Sequence, residues 1–342
     1  MSSLDLNRLF RQIFDRFTIK MLKREDDEQA DDEYEKKIGQ FRYNFQAVPI
    51  GAGTFGKVFK GRDTLNNDAP VAIKVISSDT LKKYKSSEEL FLREINILTA
   101  LKGPHIIELI KVLKSGSGNI YIITKFCNGG SLRDLLKQEK TLSEFRAIKI
   151  LRQLAQAFVD IEKLDLRDDE GEKLTIMHRD IKPDNILFHN GEPLIADFGF
   201  AKTLVDSMKE RRDMHTLLGT PDYMAPQILD ERKYSYRCDV WSMGIVVYEM
   251  LVGQRPWHVS TDYMLLQNIL SKPLKFPETN LISEEVQGLL KQMLEIEDDK
   301  RLNWKEVLAH PAIIMNKKFE IEQAERGKVK TEGGLEEQLP KS

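Results

Sequence analysis

Apolar positions change their spacing twice along these 342 residues. Near the start, Leu6, Leu9, Phe10, Ile13, Phe14, Phe17 and Met21 recur every three or four residues, which predicts an amphipathic helix. An acidic run poor in apolar residues, Glu25 to Glu35, follows and reads as a solvated linker. From Tyr43 the pattern turns to short apolar runs broken by turn residues. FQAVPIGAGTFGKVFKGRD reads as strand, glycine turn, strand; Asn66-Asn67-Asp68 marks a turn; VAIKVI is a further strand. SSEELFLREINILTAL has helical spacing in Leu90, Phe91, Ile95, Leu98 and Leu101, and Gly103-Pro104 stops it. IIELIKVL and NIYIITKF read as strands split by Ser115-Gly116-Ser117-Gly118. After Gly129-Gly130 the chain is mostly helical: SLRDLLKQ, SEFRAIKILRQLAQAFVDIEKL, CDVWSMGIVVYEMLVG, EEVQGLLKQML and WKEVLAH. A strand-rich part before a helix-rich part predicts an α+β protein of two lobes with a cleft between them.

This gives four expected regions: an extension over 1–42, a strand-rich lobe over 43–127, a helical lobe over 128–313, and a polar, disordered tail over 314–342. The extension's helix either docks on the neighbouring domain or serves a regulatory partner. The polar stretch Arg167 to Lys173 reads as a surface insertion.

Composition narrows the function. With 41% hydrophobic residues the chain can bury a large core. There are 52 basic and 54 acidic residues, a balance without the basic excess of a nucleic-acid binder. Two cysteines far apart, Cys127 and Cys238, argue for a reducing compartment, so cytosol or nucleus is expected. No apolar run is long enough for a membrane span, the first residues lack a signal core, and Ser2 stands where myristoylation needs glycine.

The chemistry sits in a few short segments. Gly51-Ala52-Gly53-Thr54-Phe55-Gly56-Lys57-Val58 gives G-x-G-x-x-G-x-V between two strands, where missing side chains let backbone N–H groups approach a phosphate. A dinucleotide-binding turn has three similar glycines but opens a helix. By itself the segment is weak evidence, since a plain hairpin turn can carry the same glycines. Lys74, on the following strand, can reach the phosphates as a point charge, and Glu94 on the next predicted helix can pair with it. Each is a commonplace surface residue when taken singly.

His178-Arg179-Asp180-Ile181-Lys182-Pro183-Asp184-Asn185 and Asp197-Phe198-Gly199 complete the series. Here the sequence resembles the eukaryotic protein kinase superfamily, over roughly residues 45 to 311 and with its motifs in order. The resemblance implies the two-lobed protein kinase fold: a small, mainly antiparallel β lobe with one key helix, and a larger helical lobe. It implies ATP and Mg²⁺ as cofactors and protein hydroxyls as substrates. By resemblance Asp180 is the catalytic base, Lys182 neutralises the transferring phosphoryl group, and Lys74 with Glu94 forms the ion pair that positions the phosphates. Asn185 and Asp197 are the metal ligands. A hard cation wants oxygen donors, and Mg²⁺ takes one or two carboxylates beside water and phosphate. The nucleotide's surroundings would be Ile50, Gly51, Gly53 and Gly56 of the glycine segment, Val58 and Ala72 above the adenine, Leu187 beneath it, and Thr124 as gatekeeper. Lys125, Phe126 and Cys127 would form the hinge. Leu98, Leu109, His178 and Phe198 would form a stacked apolar spine, and Asp239 would hold the backbone of the turn around Arg179.

The segment from Asp197 to Pro226 carries Thr203, Ser207, Thr216 and Thr220. The resemblance makes Thr216 a phosphorylation site read by Arg179, and has Thr220 contact Asp180 and Lys182. One departure stands out. The family's Ala-Pro-Glu is Ala225-Pro226-Gln227 here, so Arg301 loses its usual carboxylate and its charge is expected to go uncompensated. Within the superfamily, ADFGFAK and LLGTPDYMAPQIL resemble most the autophagy-initiating, Unc-51-like serine/threonine kinases, with Aurora-, NIMA- and calmodulin-dependent-type kinases sharing much of the pattern. No calcium-loop pattern is present. The expected function is a monomeric serine/threonine kinase domain. A pseudokinase scaffold that binds nucleotide without turnover is the alternative, and a kinase for small molecules or lipids ranks below both.

Overall fold

The structure is a computed structural model describing residues 23–25, 27–29, 34–53, 56–83, 99, 101–164, 175–198, 202–203, 220–257, 261–278 and 282–332. These fall into two compact units. One lies within Met1–Leu132, Leu164–His178 and Asp184–Asp206, the other within Arg133–Lys163, Arg179–Pro183 and Ser207–Ser342.

The first unit is built on a sheet. Its strands are β1 (Lys23–Glu25), β2 (Asp27–Gln29), β3 (Glu35–Ile38), β4 (Phe41–Asn44), β5 (Gly51–Gly53), β6 (Gly56–Asp63), β7 (Ala69–Ile76), β8 (Leu109–Ser115) and β9 (Ile120–Lys125). They lie in the order β1-β8-β9-β7-β6-β4-β3-β2, with β5 folded back on β6. All these pairings are antiparallel except β1 with β8. Turn chemistry sets the hairpins: Asn67 and Asp68 both take positive φ between β6 and β7, as a tight right-twisting connection demands. Alternation then sorts the two faces. Phe59, Val71, Ile73, Tyr121 and Ile123 join Ile38, Phe41, Tyr43 and Leu113 in one apolar core. A short helix, α1 (Ser78–Lys83), follows β7.

The expected acidic linker takes part in this sheet. Glu35 opens β3, where its carboxylate meets Arg62 at 3.0 Å and Arg42 at 3.6 Å, while Ile38 is fully buried. Local acidity gave no hint that cross-strand arginines would neutralise it. The helix predicted from the spacing of Leu6 to Met21 and the one carrying Glu94 lie outside the described residues, as does the insertion at 167–173.

A hairpin of β11 (Ile186–His189) and β12 (Glu192–Ile195) also belongs to this unit, as does the pairing of β10 (Ile176–Met177) with β13 (Lys202–Thr203). The hairpin turns on Asn190 and Gly191, both at positive φ. It is tied to the segment after β9: the Gly129 N–H donates to the Phe188 carbonyl and the Phe188 N–H to the Gly130 carbonyl, each at 2.8 Å.

The second unit is helical: α2 (Leu132–Glu139), α3 (Glu144–Glu162), α4 (Pro226–Leu229), α5 (Arg237–Val252), α6 (Asp262–Ser271), α7 (Glu284–Met293), α8 (Trp304–Ala309) and α9 (Pro311–Glu332). Start signals are local: Ser143, Thr261 and Ser283 cap α3, α6 and α7, and Asn303 with Glu306 forms a capping box on α8. Helix α5 is buried from Cys238 to Leu251 on every side, which is why it reads as a continuous apolar run. Gly244 allows its close approach to α7, since a Cβ there would lie 2.9 Å from Leu294. Gly253, at φ 81°, ends it. Phe158 of α3 stacks on Trp304 of α8 with centroids 4.4 Å apart.

The chain from 314 onward was expected to be disordered, yet α9 continues to Glu332. Contacts with α3 account for the difference. Asn316 donates to the Phe145 carbonyl at 2.9 Å, Phe319 meets Phe145 edge-on, and Glu320 pairs with Lys149 and Arg152. A polar sequence can hold a helix when its few apolar and acidic positions find partners on one face.

Candidate active site

In the first unit a row of side chains forms by register. Val58 on β6 lies opposite Lys74 on β7, and Lys74 opposite Ile122 on β9; one step along, Lys60, Ala72 and Thr124 line up likewise. Because the side chains of Val71, Ile73, Tyr121 and Ile123 go to the core, Val58, Ala72, Lys74 and Thr124 share the other face. They are half-buried there, as are Lys125, Phe126, Cys127 and Leu187, while Ile50 is 52% exposed. Burial pushes the Cys127 thiol up to about 11, so it stays protonated at neutral pH. The Lys60 ammonium sits 4.8 Å from the centroid of the Phe126 ring.

Lys74 reaches across this face to Asp197: Nζ to Oδ1 is 2.7 Å. The glycine hairpin approaches the same carboxylate, since a Cβ on Gly53 would lie 3.8 Å from Asp197 Oδ2. Gly56 is required for packing, because a Cβ there would stand 2.1 Å from the Val75 carbonyl oxygen. The tip, Thr54 and Phe55, is outside the described residues.

Hairpin geometry brings Asn185 and Asp197 to one end. Ile186 pairs with Ile195, so Asn185 stands opposite Ala196, whose N–H donates to the Asn185 carbonyl at 2.9 Å. Asp197 follows at φ 59°, a conformation uncommon for a non-glycine residue and concentrated at functional sites. His178 anchors the stretch before Asp197: its Nε2 is 3.0 Å from the Ala196 carbonyl, and its ring meets Phe198 edge-on at 4.6 Å.

In the second unit Asp180 is buried and held on two sides. Its Oδ2 is 2.8 Å from Lys182 Nζ, and its Oδ1 accepts from the Thr220 hydroxyl at 3.4 Å. Lys182 in turn donates to Thr220 Oγ1 at 2.9 Å, closing a triangle. The turn carrying Asp180 is pinned from below, for the Arg179 N–H, at φ 63°, donates to the buried Asp239 carboxylate at 2.9 Å. A carboxylate so oriented, beside an ammonium, can accept a proton from a hydroxyl while the ammonium offsets nearby negative charge.

Glu94, Leu98 and Thr216 lie outside the described residues, and Thr203 lies in β13. For Arg301 the expectation needs correcting. Its side chain is fully buried, and Nη2 donates to Gln227 Oε1 at 2.9 Å, but its charge has a counter-ion in Asp298 at 3.4 Å. The carbonyls of Glu295, Arg237 and Ile296 also accept from it, and the Trp241 ring lies 5.1 Å away. Burial still lowers its pKa to about 10, with Asp298 acting in the opposite direction. An acid three positions before the arginine was the overlooked signal.

A glycine hairpin over an ammonium–carboxylate pair, joined in one chain to an oriented buried aspartate, defines a protein kinase domain. The family model of that description matches residues 45–313, and the chain belongs to the protein kinase family. Among its relatives, serine/threonine-protein kinase ULK3 of Homo sapiens is 35% identical over 266 residues, covering 77% of this chain and 53% of that protein. Calcium-dependent protein kinase 3 of Plasmodium berghei is 36% identical over 275 residues, covering 79% and 46%. Serine/threonine-protein kinase atg1 of Dictyostelium discoideum is 34% identical over 289 residues, covering 82% and 40%. The chain thus spans about half the length of these three relatives, or less. Among the described residues no helix is long and apolar enough to cross a membrane.

Proposed function

We propose that this chain transfers the γ-phosphoryl group of ATP to serine or threonine hydroxyls of proteins. The observation that carries the reading is the triangle of Asp180, Lys182 and Thr220, with Asp180 buried and its carboxylate aimed by both partners. Asp180 accepts the proton of the acceptor hydroxyl as its oxygen bonds to the γ-phosphorus. The bond from that phosphorus to the β–γ bridging oxygen breaks, and ADP leaves. Lys182 offsets charge on the phosphoryl oxygens.

The nucleotide would lie on the face carrying Val58, Ala72 and Thr124, with backbone groups of Lys125 to Cys127 reading the adenine and Leu187 beneath it. Lys74 would hold the phosphates, with Glu94 as its second partner. Asn185 and Asp197, at one end of the hairpin, carry the kind of oxygen donors that suit a Mg²⁺ ion, which keeps waters and shares phosphate oxygens. When bound, that ion neutralises triphosphate charge.

Supporting the serine/threonine preference are Lys182 two residues after Asp180 and the similarity to serine/threonine-protein kinases ULK3 and atg1. A scaffold without turnover has no support, since Lys74, Asp180, Asn185 and Asp197 are all in place. We extend the proposal to regulation by phosphate on Thr216, read by Arg179, to a partner for the helix predicted from Leu6 to Met21, and to a monomer in cytosol or nucleus. A role in autophagy initiation rests on the Unc-51-like resemblance. The test is γ-labelled ATP with Mg²⁺ and a mixed protein acceptor, followed by phosphoamino-acid analysis. Label on serine or threonine is expected; label confined to tyrosine, or none, overturns the reading.

A further inference from the structure

The catalytic triangle leaves unexplained a charged cluster a few residues away. Arg133, at the start of α2, places Nη1 at 2.6 Å from Glu249 Oε1 and Nη2 at 2.5 Å from the Tyr223 hydroxyl. The Tyr223 hydroxyl in turn donates to Glu249 Oε2 at 2.6 Å. Tyr223 is 3% exposed and Glu249 8%, so that side of the ring is nearly dry, while the Arg133 side chain is half-buried. Burial and the Glu249 charge raise the phenol's pKa, which keeps its proton on Tyr223 for that bond. A pair at this depth adds little net stability over apolar packing, but its directional bonds fix orientation.

What it orients follows from the chain. Tyr223 closes the turn Pro221–Tyr223, and its N–H donates to the Thr220 carbonyl at 3.0 Å. Ser242 on α5 donates to the Tyr223 carbonyl at 2.7 Å, and Arg255 pairs with Asp222 while its guanidinium lies 5.8 Å from the Tyr223 ring centroid. Helix α2, helix α5 and the loop after α5 therefore grip one short turn. The residue immediately before that turn is Thr220, which touches both Asp180 and Lys182.

We propose that Arg133, through Tyr223 and Glu249, is a positioning residue for phosphoryl transfer: it sets the height of Thr220 and so the aim of the Asp180 carboxylate. This rests on the kinase reading above. The bonds of Arg133 to Tyr223 and Glu249 act through one turn of backbone. Its loss lowers turnover and leaves nucleotide binding on the sheet-built unit unchanged.

The test is a double-mutant cycle in the full chain, measuring kcat with a mixed protein acceptor, KM for ATP, and thermal melting. Arg133→Met keeps the aliphatic stem and removes the guanidinium; Thr220→Val removes the hydroxyl that Arg133 is held to position. We expect kcat to fall about tenfold in Arg133→Met, with KM for ATP within twofold of wild type and partial recovery in Arg133→Lys. The double variant should be no slower than Thr220→Val alone, within twofold. Losses that multiply, an unchanged kcat in Arg133→Met, or a rise in KM for ATP matching the loss in kcat would overturn the proposal. Should Arg133→Met fail to fold, Tyr223→Phe, which removes one oxygen, takes its place in the cycle under the same criteria. Absence of transfer by the wild type itself would count against the kinase reading, and wild-type transfer that Asp180→Asn abolishes keeps that reading intact whatever the cycle gives.

Discussion

The two units build their functional groups by different means. In the sheet unit, Lys74, Ala72, Val58 and Thr124 share a face because strand period and register leave them nowhere else to go. In the helical unit, Asp180 is aimed by side chains 2 and 40 residues away, and the turn that holds it is fixed by Asp239. A face set by backbone pairing tolerates changes that keep the strand. A carboxylate aimed by side-chain bonds depends on each of them. Substitutions should accordingly separate binding from turnover.

The largest effect should come from Asp180→Asn, which removes the proton acceptor and keeps the shape: kcat falls on the order of 10³-fold, by steady-state transfer assay. Lys74→Met should come next, with turnover lowered about 100-fold and weaker nucleotide binding by fluorescence titration, because the Asp197 carboxylate loses the ammonium 2.7 Å away. Trp304→Ala tests the helical core alone. Its ring is 2% exposed and stacked on Phe158, so the loss should be about 3–5 kcal/mol by denaturant unfolding. Gly56→Ala drives a Cβ into the Val75 carbonyl and should cost about 1–3 kcal/mol in the sheet unit while weakening nucleotide binding. Gln227→Glu should be the mildest, within about 1 kcal/mol by the same unfolding measurement. A carboxylate gains attraction to Arg301 but loses the amide's donation to the Ile296 carbonyl and faces that oxygen instead.

What was legible in the sequence divides along the same line. The strands flanking Asn66-Asn67-Asp68 and Ser115 to Gly118 were plain, because those turns are local signals, and short motifs named Lys74, Asp180, Asn185 and Asp197 directly; the strands before residue 45 were not foreseen, and the strand expected ahead of the glycine turn lies instead at Phe41–Asn44. The helix past residue 314 was not legible: its partners, Phe145, Lys149 and Arg152, lie more than 160 positions upstream. Glu35 in a strand was missed because a charge reads as solvated until its partner is known, whereas Asp298, only three positions before Arg301, was a local signal that went unread. The grip of Arg133 on Tyr223 and Glu249 spans 90 and 116 positions, and no motif announces it.

One experiment bears most directly on the claim that Asp180 performs transfer while other residues hold the nucleotide. Single-turnover transfer and nucleotide affinity should be measured on the same preparations of wild type and Asp180→Asn. We predict equal affinities within twofold, with transfer present in the first and lost in the second; equal transfer by both proteins would contradict the account.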